Sequence, residues 1–490
     1  MILALLAIPL GGGLVSLWLR HDRVRRALLL ACAVLHTLLT ALAWRRLPSP
    51  ILHGWMALDP LGLYFLSITS LLFLAAAVYG VGYLRREHHG QIQDYEEHIF
   101  YINAPEAVFT GCLLLFLATM TLVTVSQHVG LLWVAVEATT LSSAPLIYFH
   151  RHHRSLEAAW KYLLICSVGI ALALLGNFFL AVAASSRTGS VLTLVIPDLI
   201  PHASRLQVPW LKAAFLFYLV GYGTKMGLAP LHTWLPDAHS ESPSVVSALL
   251  SGALLNCAFL GILRAFQVLA AAGEGPFAQS LLINFGLFSM GIAVVFILGQ
   301  TDYKRLLAYS SVEHMGILAL GVGLGGAGVF GAMLHTINHS CAKAMLFLVA
   351  GNLLRVYKSK AVQDVRGACR VLPISGALWI AGFLAITGSP PFGLFISEFT
   401  ILKAALDTGR IAAAATYLLL LALIFIGMAT VMLRMAQGEA PAGIEKPRRD
   451  IWITVLPPVF LGMGVLALGL YVPPVLSDHL HVIARSLGVP

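Results

Sequence analysis

The chain has 490 residues, of which 59% are hydrophobic and only 11% are charged, and its mean hydropathy is +0.86. Such a composition excludes an ordinary water-soluble globular protein. The net charge of +9 comes from basic residues spread over separate loops, so it does not indicate nucleic-acid binding. The six cysteines include no CxxC pair, so neither an iron–sulfur cluster nor a zinc ribbon is expected in this chain.

Fourteen apolar runs are long enough to cross a hydrocarbon layer of about 30 Å, which predicts an all-α integral membrane protein. They cover residues 1–19, 27–44, 59–83, 108–128, 130–149, 158–184, 209–228, 243–271, 278–299, 306–325, 327–354, 371–406, 411–435 and 451–471. The first run lacks a basic start and a small-residue cleavage site, so a retained helix is expected rather than a signal peptide.

Basic residues in the loops predict the orientation of these helices. If the loop after the first run is cytoplasmic, 20 of the 31 Lys and Arg residues fall on the cytoplasmic side and 8 on the outer side, with Lys225, Lys343 and Lys403 inside helices. The cytoplasmic set includes the basic cluster at 446–449. Both termini are then expected outside, in a multi-pass protein of a prokaryotic cytoplasmic (inner) membrane.

Two runs are interrupted by glycine and proline, which free backbone groups that lipid cannot satisfy. The seventh contains the stretch 220–230 (VGYGTKMGLAP) and the twelfth contains 387–393 (TGSPPFG). Paired breaks at corresponding positions predict two inverted five-helix repeats, helices 4–8 and 9–13, with helices 7 and 12 broken. The expected division is 1–107 for helices 1–3, 108–271 and 278–435 for the two repeats, and 451–490 for helix 14 and the C-terminal end.

Glu137 lies about eight residues into the fifth predicted helix. A charge near the centre of a membrane helix costs at least about 2.5–3.5 kcal/mol, so a carboxylate there favours a function in ion transfer. The structural alternative is a buried carboxylate that Thr140 or Ser142 satisfies. Lys225, at the break of the seventh helix, is the expected partner of Glu137, and moving one of the two would change the proton affinity of the other.

Asp237 and His239 follow the seventh helix in the stretch 234–243 (WLPDAHSESP), which is expected to be a cytoplasmic loop without basic residues. We interpret these two residues either as proton-uptake residues or as caps of the next helix, and the sequence favours neither interpretation. Glu313 and His314 lie eight residues into the tenth helix, nearer the cytoplasmic side than the midplane. We interpret them either as a proton-access group or as a local helix-packing pair.

His335, His339 and Lys343 recur every four residues in the eleventh helix, so they stack on one face about 6 Å apart. Histidine changes charge near neutral pH, so three titratable groups in this phase predict a proton relay. A single buried histidine is more often structural, and His pairs at this spacing also bind zinc. Because the glutamate of an HExxH motif is missing here, no metal ligand is assigned.

Glu398 lies just past the proline break of the twelfth helix. That helix runs outward from the cytoplasm in the predicted orientation, so Glu398 is placed to pass protons from Lys343 towards the outside. The alternative is that Glu398 neutralises Lys403. A spacing of five residues is poor for a pair on one helix face, which favours the relay.

Five stretches, 133–143, 221–243, 303–316, 335–351 and 388–402, resemble the proton-translocating, antiporter-like subunits of respiratory complex I and the related large subunits of Mrp cation/proton antiporters. Three shorter motifs are most similar to the family of hydrogenase-4 component F. They are 235–244 (LPDAHSESPS), 247–257 (SALLSGALLNC) and 310–316 (SSVEHMG).

The resemblance implies a residue-by-residue assignment. Glu137 is the carboxylate of helix five and Lys225 its lysine on helix seven. Lys343 is the central lysine of helix eleven, and Glu398 is the terminal charge on helix twelve. Helix eight often carries a lysine or histidine where this chain has Asn256, which implies that water or another group links Lys225 to Lys343. The long lateral helix of the complex I end subunit is not expected.

These observations favour a proton-pumping membrane subunit of a multi-subunit oxidoreductase, either a membrane-bound hydrogenase of the hydrogenase-4 type or an NADH:quinone-like complex. No nucleotide-binding loop or redox-ligand cluster is found in the chain, so other membrane and peripheral subunits are expected to drive it and to carry any nickel–iron and iron–sulfur centres. The alternatives are an Mrp-type Na⁺/H⁺ antiporter subunit, for which Na⁺ replaces some protons, and the membrane subunit of an inorganic-carbon uptake complex.

Overall fold

The computed structural model describes residues 1–87, 90–93, 99–185, 193–441, 444 and 450–488. Its helices are α1 (Ile2–Trp18), α2 (Asp22–Arg45), α3 (Pro60–Leu84), α4 (Glu106–Val125), α5 (Val129–Ile147), α6 (His153–Ala184), α7 (Ile196–Leu199), α8 (Val208–Met226), α9 (Trp234–Glu241), α10 (Ser244–Leu249), α11 (Leu255–Ala271), α12 (Gly275–Ile297), α13 (Tyr303–Leu324), α14 (Ala327–Tyr357), α15 (Ala368–Val371), α16 (Pro373–Ile386), α17 (Gly393–Asp407), α18 (Ile411–Ala436), α19 (Trp452–Leu470) and α20 (Pro474–Ser486). A small antiparallel ribbon, β1 (Ile92–Gln93) and β2 (Phe100–Tyr101), follows α3. The predicted basic cluster at 446–449 lies outside the described residues.

Among the described residues, 11 helical runs are long and apolar enough to cross a membrane, and α1 and α16 are shorter apolar helices. Every one of the fourteen predicted segments contains helix. The seventh segment is α8, the eighth is α10 with α11, and the twelfth is α16 with α17. The prediction of an all-α integral membrane protein is confirmed.

The break in the seventh segment lies in the second half of the predicted stretch 220–230. α8 continues through the two glycines at 221 and 223 and ends at Met226. Gly227 follows it with a φ of 86°, the left-handed conformation that glycine adopts readily. The Trp234 indole then donates to the Thr224 carbonyl at 2.8 Å, and the Ala229 amide donates to the Ser289 hydroxyl at 3.0 Å. Neighbouring side chains thus satisfy backbone groups that lipid would leave unpaired.

The break in the twelfth segment lies where the sequence predicts it. α16 ends at Ile386, α17 begins at Gly393, and residues 387–392 between them are not helical. Gly388 has a φ of 60°, and a Cβ at this position would collide with the Glu398 carboxylate. The broken backbone and the intramembrane acid are therefore in direct contact.

The eighth segment contains a feature that the sequence pattern does not reveal. A π turn, Leu250–Leu254, separates α10 from α11. Such turns are rare and frequently occur at functional sites. Near its middle, α11 is held by Arg264, which binds Asp59 through two hydrogen bonds of 2.7 and 2.5 Å. Burial alone would raise the pKa of Asp59, but the Arg264 guanidinium and a hydrogen bond from the Gly62 amide hold it below its ordinary value.

α14 joins the two halves of the molecule. It packs against α13 and α17 on one side and against α10 and the π turn on the other. The side chains of His335, His339 and Lys343 on this helix are all fully buried. The candidate site is therefore centred on α14, inside the protein and away from lipid.

Candidate functional site

The first cluster of polar groups joins α5, α6 and α8. Lys225 is fully buried and donates to the hydroxyls of Thr140 at 2.7 Å and Tyr162 at 2.6 Å. Glu137 is partly buried and accepts from Ser167 at 2.9 Å and from Thr140 at 3.3 Å. Within the described residues, the predicted partners Glu137 and Lys225 are thus connected through the Thr140 hydroxyl rather than by a direct ion pair.

Thr140 accepts a hydrogen bond from an ammonium group and donates one to a carboxylate. A hydroxyl with both bonds can pass a proton along the chain, and each bond strengthens the other. The structural alternative named Thr140 or Ser142 as the group that satisfies Glu137. Of the two, Thr140 makes this bond, whereas Ser142 bonds to backbone carbonyls of its own helix and to the Thr119 hydroxyl.

The second cluster surrounds Lys343. Its ammonium group donates to the Leu307 carbonyl of α13 at 2.7 Å, and Ser311 donates to the same carbonyl at 3.1 Å. Glu313, which is 1% exposed, interacts electrostatically with Lys343 and accepts from Ser310 at 3.2 Å. α13 therefore supplies both a carbonyl acceptor and an acid to the central lysine.

The third cluster, called the histidine cluster below, consists of His314, His335 and His339. His314 Nδ1 and His335 Nε2 are 2.9 Å apart, and His335 Nδ1 lies 2.9 Å from the Ser397 hydroxyl of α17. The ring of His339 lies 4.9 Å from that of His314 and 6.3 Å from that of His335. Both nitrogens of His339 and Nε2 of His314 find no hydrogen-bond partner within the described part of the chain.

The histidine cluster changes the interpretation of the Glu313-His314 pair. Sequence spacing suggested a local pair or a separate access group. The structure keeps the local pair, with His314 Nε2 3.9 Å from the Glu313 carboxylate. It also brings His314 against His335 from the neighbouring helix, and Glu313 interacts electrostatically with Lys343. Both residues therefore belong to the central site.

Glu398 lies beside this cluster and is 7% exposed. Its Oε1 has no hydrogen-bond partner among the residues that the structure describes. Lys403, the alternative partner, donates to Asp407 at 2.5 Å on the surface, where both side chains are more than half exposed. The geometry thus separates Lys403 from the buried acid.

Asp237 and His239 do not lie in a loop, so that prediction is wrong. Trp234, Leu235 and Ala238 are fully buried, and burial of this apolar face stabilises the short helix α9, whose proline lies in the first turn where it is tolerated. Neither residue caps the following helix, since the N-cap of α10 is Pro243 without a side-chain bond.

The two residues also differ in their surroundings. Asp237 faces outward, where it pairs with Lys161 at 2.8 Å and with Arg305. His239 is fully buried, its ring stacks on Phe347 at 5.2 Å, and the ammonium groups of Lys343 and Lys304 both act on it electrostatically. Of the two, only His239 is directed towards the central lysine.

Lys304 is one of the 20 basic residues that the predicted orientation places on the cytoplasmic side, and its spacing indicates no further function. It is 1% exposed and donates to the carbonyls of Ser240 at 2.8 Å and Ser242 at 2.7 Å, at the C-terminal end of α9. A cation at this end of a helix is favourable. Tyr162 and Ser397 were missed as well, because each reaches the site from a different helix and no spacing rule connects it to its partner.

One set of side chains could hold a metal ion within the described residues. His314, His335 and Glu398 each offer one ligand atom, and these atoms lie within 4.8 Å of one another. The zinc alternative considered from sequence used the His335–His339 pair, which is a different set. In the structure the two imidazoles of His314 and His335 are hydrogen-bonded to each other, so a metal would have to replace that bond.

Comparison with known proteins identifies the family of the chain. A family model described as "NADH:quinone oxidoreductase/Mrp antiporter, TM" matches residues 126–428. The hydrogenase-4 component F homolog of Methylacidiphilum infernorum (isolate V4) is 35% identical over 426 residues, which cover 86% of each chain.

Two solved structures share the fold. A chain of the archaeal membrane-bound sulfane sulfur reductase has a TM-score of 0.87 at 20% identity, covering 100% of this chain and 98% of that one. A chain of respiratory complex I from Thermus thermophilus has a TM-score of 0.81 at 24% identity, covering 100% of both. The resemblance predicted from the motifs is confirmed: the chain belongs to the NADH:quinone oxidoreductase/Mrp antiporter family of transmembrane subunits.

Proposed function

We propose that this chain is the proton-translocating membrane subunit of a multi-subunit oxidoreductase, a membrane-bound hydrogenase of the hydrogenase-4 type. One observation carries the proposal. Lys343 is fully buried at the junction of the two halves, and a series of buried titratable groups leads away from it through the histidine cluster to Glu398. Buried ionisable groups in a membrane are costly and typically mark an ion or proton path.

In this proposal the proton enters from the cytoplasm through His239 and reaches Lys343, which is its electrostatic neighbour. His339 lies one helical turn from Lys343 and next to His314, so it accepts the proton and passes it to the hydrogen-bonded pair His314–His335. His335 then passes the proton to Glu398, since a ring nitrogen of His335 and a carboxylate oxygen of Glu398 lie within 4.8 Å of each other, and from Glu398 the proton leaves on the outer side. Each step transfers one proton between neighbouring groups and needs no other reactant.

The Glu137–Thr140–Lys225 chain influences this proton path electrostatically. An acid close to a buried lysine favours its charged form, and withdrawal of the acid favours release of the proton. A change in the distance between Glu137 and Lys225 would thus alter the field at Lys343. Partner subunits drive that change, because moving one charge against a potential of about 150 mV costs roughly 3.5 kcal/mol.

In this proposal the partner subunits carry the redox centres, which are nickel–iron and iron–sulfur centres. This chain lies in the cytoplasmic membrane with both termini outside. Support comes from the hydrogenase-4 component F homolog, which covers 86% of this chain. A gradient-driven Mrp-type antiporter subunit is the competing function, since the family model includes both kinds of protein.

The central test uses Lys343→Ala in inside-out vesicles that contain the assembled complex. We expect electron-donor-driven proton uptake to be lost while the subunit still inserts and assembles, because no other lysine lies in the central cluster that the structure describes. Lys403→Ala is the matched control, since that lysine is exposed and pairs with Asp407. Uptake at the wild-type rate in Lys343→Ala would refute the relay. Proton movement driven by a Na⁺ gradient, without an electron donor, would instead support the antiporter.

A further inference from the structure

Lys304 is a buried lysine that the proposed proton path does not use. It lies in the first turn of α13 and is 1% exposed. Its ammonium group donates to the Ser240 carbonyl at 2.8 Å and to the Ser242 carbonyl at 2.7 Å. An ammonium group has three donor positions, and the two carbonyls occupy two of them. A proton at the third position can therefore leave or return while both carbonyl bonds persist.

The residues on either side of Ser240 connect this lysine to the interior and to the surface. His239 is fully buried, and the ammonium groups of Lys343 and Lys304 both act on it electrostatically. Glu241 lies nearer the surface, where its side chain is 10% exposed, and Lys304 acts on it electrostatically as well. Lys304 thus interacts both with an acid at the end of α9 and with the imidazole that faces Lys343.

Glu241 is surrounded by basic groups from three other segments of the chain. Its Oε1 accepts from Lys360 at 2.7 Å, and its Oε2 lies 3.8 Å from His152 Nε2. Burial alone would raise the pKa of Glu241, but the Lys360 ammonium and the charges of Arg154 and Lys304 hold it below its ordinary value. The carboxylate is therefore ionised at neutral pH. It can accept a proton, and it releases that proton readily.

Two histidines connect Glu241 to a cavity on the side that the basic residues predict to be cytoplasmic. His152 Nδ1 accepts from the Ser155 amide at 3.1 Å, so the proton of the neutral ring lies on Nε2, which faces Glu241. The ring of His150 lies parallel to that of His152, with centroids 6.2 Å apart. His150 Nδ1 lies 2.9 Å from Asn103 Oδ1, and Asn103 lines a cavity of about 210 Å³ between the end of α3 and the start of α4.

We propose that Glu241 and Lys304 load protons onto His239: Glu241 takes up a proton from the cytoplasmic side, and Lys304 carries it to the imidazole. The inference rests on the proposed proton-translocating function and deepens it by assigning the uptake site. Lys304 in its uncharged form accepts the proton that Glu241 has bound, and the carboxylate is ionised again. The charged Lys304 then protonates His239 and returns to its uncharged form. No other reactant takes part.

The Lys304→Arg variant separates a proton carrier from a structural cation. Arginine keeps the positive charge and can donate to both carbonyls, but it does not release its proton in proteins. We expect proton uptake by inside-out vesicles, expressed per assembled complex, to fall by about tenfold or more, because a positioned proton-transfer group typically contributes at least that much. Lys360→Arg is the matched control, since Lys360 pairs with Glu241 and carries no proton in this proposal, and its uptake should stay near the wild-type rate.

The Glu241→Gln variant tests the acid. Glutamine has nearly the same shape and can still accept from Lys360, but it cannot take up a proton at neutral pH. Uptake per assembled complex should again fall by about tenfold or more, and Glu241→Asp, which keeps the carboxylate, should retain more uptake than Glu241→Gln. Glu157→Gln is the control, because Glu157 pairs with Lys161 at 2.6 Å where both side chains are about half exposed.

The outcomes separate the loading site from the proposed function. Wild-type uptake per complex in Lys304→Arg or in Glu241→Gln, together with loss of uptake in Lys343→Ala, would overturn the loading site and leave the proposed function intact. A smaller amount of assembled complex with normal uptake per complex in Lys304→Arg would show a purely structural lysine and would overturn it too. Wild-type uptake in Lys343→Ala would refute the proposed function itself.

Discussion

Thr140 shows how much of this site depends on neutral residues. Its hydroxyl lies between the Lys225 ammonium, at 2.7 Å, and the Glu137 carboxylate, at 3.3 Å. The ring of Tyr162 supports the same lysine, with the ammonium 4.3 Å from the ring centroid. The hydroxyl keeps the two charges further apart than a direct ion pair would, so their attraction is weaker. The protonation state of Lys225 can therefore change more readily than in a direct ion pair.

Thr140→Val preserves shape and removes the hydroxyl. We expect the complex to assemble normally and proton uptake to fall by about tenfold, because two hydrogen bonds are lost that contribute roughly 0.5–1.5 kcal/mol each. Thr140→Ser keeps the hydroxyl and should retain most of the uptake. The measurement is the initial rate of uptake in vesicles per electron transferred. Equal rates in the Val and Ser variants would mean that the hydroxyl takes no part in coupling.

Among the helical elements, α9 separates two neighbouring polar residues by the faces on which they lie. Asp237 is on the outer face, in contact with Lys161 and Arg305, whereas His239 is on the buried face against Phe347. Lys304 holds the C-terminal end of α9 through two carbonyls. A short helix fixed in this way keeps one imidazole directed at the interior.

His239→Leu is expected to keep apolar contact with Phe347, although the ring stacking is lost, and to abolish proton uptake, because the apolar side chain cannot carry a proton between the cytoplasm and Lys343. Asp237→Asn, which weakens the ion pairs with the partly exposed Lys161 and Arg305 and removes no group from the path to Lys343, should leave uptake nearly unchanged. Both variants are compared in the same vesicles. Loss of uptake in Asp237→Asn with full uptake in His239→Leu would reverse the assignment of the uptake residue.

In the whole molecule, α14 spans the distance between the two membrane surfaces. Its 31 residues correspond to about 46 Å at 1.5 Å per residue. α20 packs near its beginning, where the rings of His481 and Phe330 are 4.7 Å apart, and Lys358 follows its end. The two ends of α14 thus mark opposite sides, and the distribution of basic residues predicts that Lys358 is cytoplasmic.

A labelling experiment tests this orientation. In intact cells, a membrane-impermeant maleimide should label Val475→Cys, because Val475 in α20 is 71% exposed. It should label Lys358→Cys only after the membrane is permeabilised. The unmodified chain is the blank, since four of its six cysteines are buried and Cys112 and Cys369 are half-buried. The reverse labelling pattern would place both termini in the cytoplasm.

The sequence by itself determined the membrane class, the helical segments, the break at Gly388 and the residues that carry charge inside the bilayer. These features are local. Hydrophobic length marks a membrane segment, glycine and proline mark a break, and the i, i+4 spacing of His335, His339 and Lys343 places them on one face whatever surrounds the helix. The spacing of three between Glu137 and Thr140 likewise indicates a shared face.

Only the tertiary structure decided which faces meet. His314 reaches His335 from another helix, Lys304 is buried beneath α9, and the π turn brings Asn256 to Ser340. Periodicity contains no information about these contacts, because it describes a face and not the helix that packs against it. Close approach between helices depends on small residues such as Gly252 and on polar groups that must find partners inside the protein, since lipid supplies none.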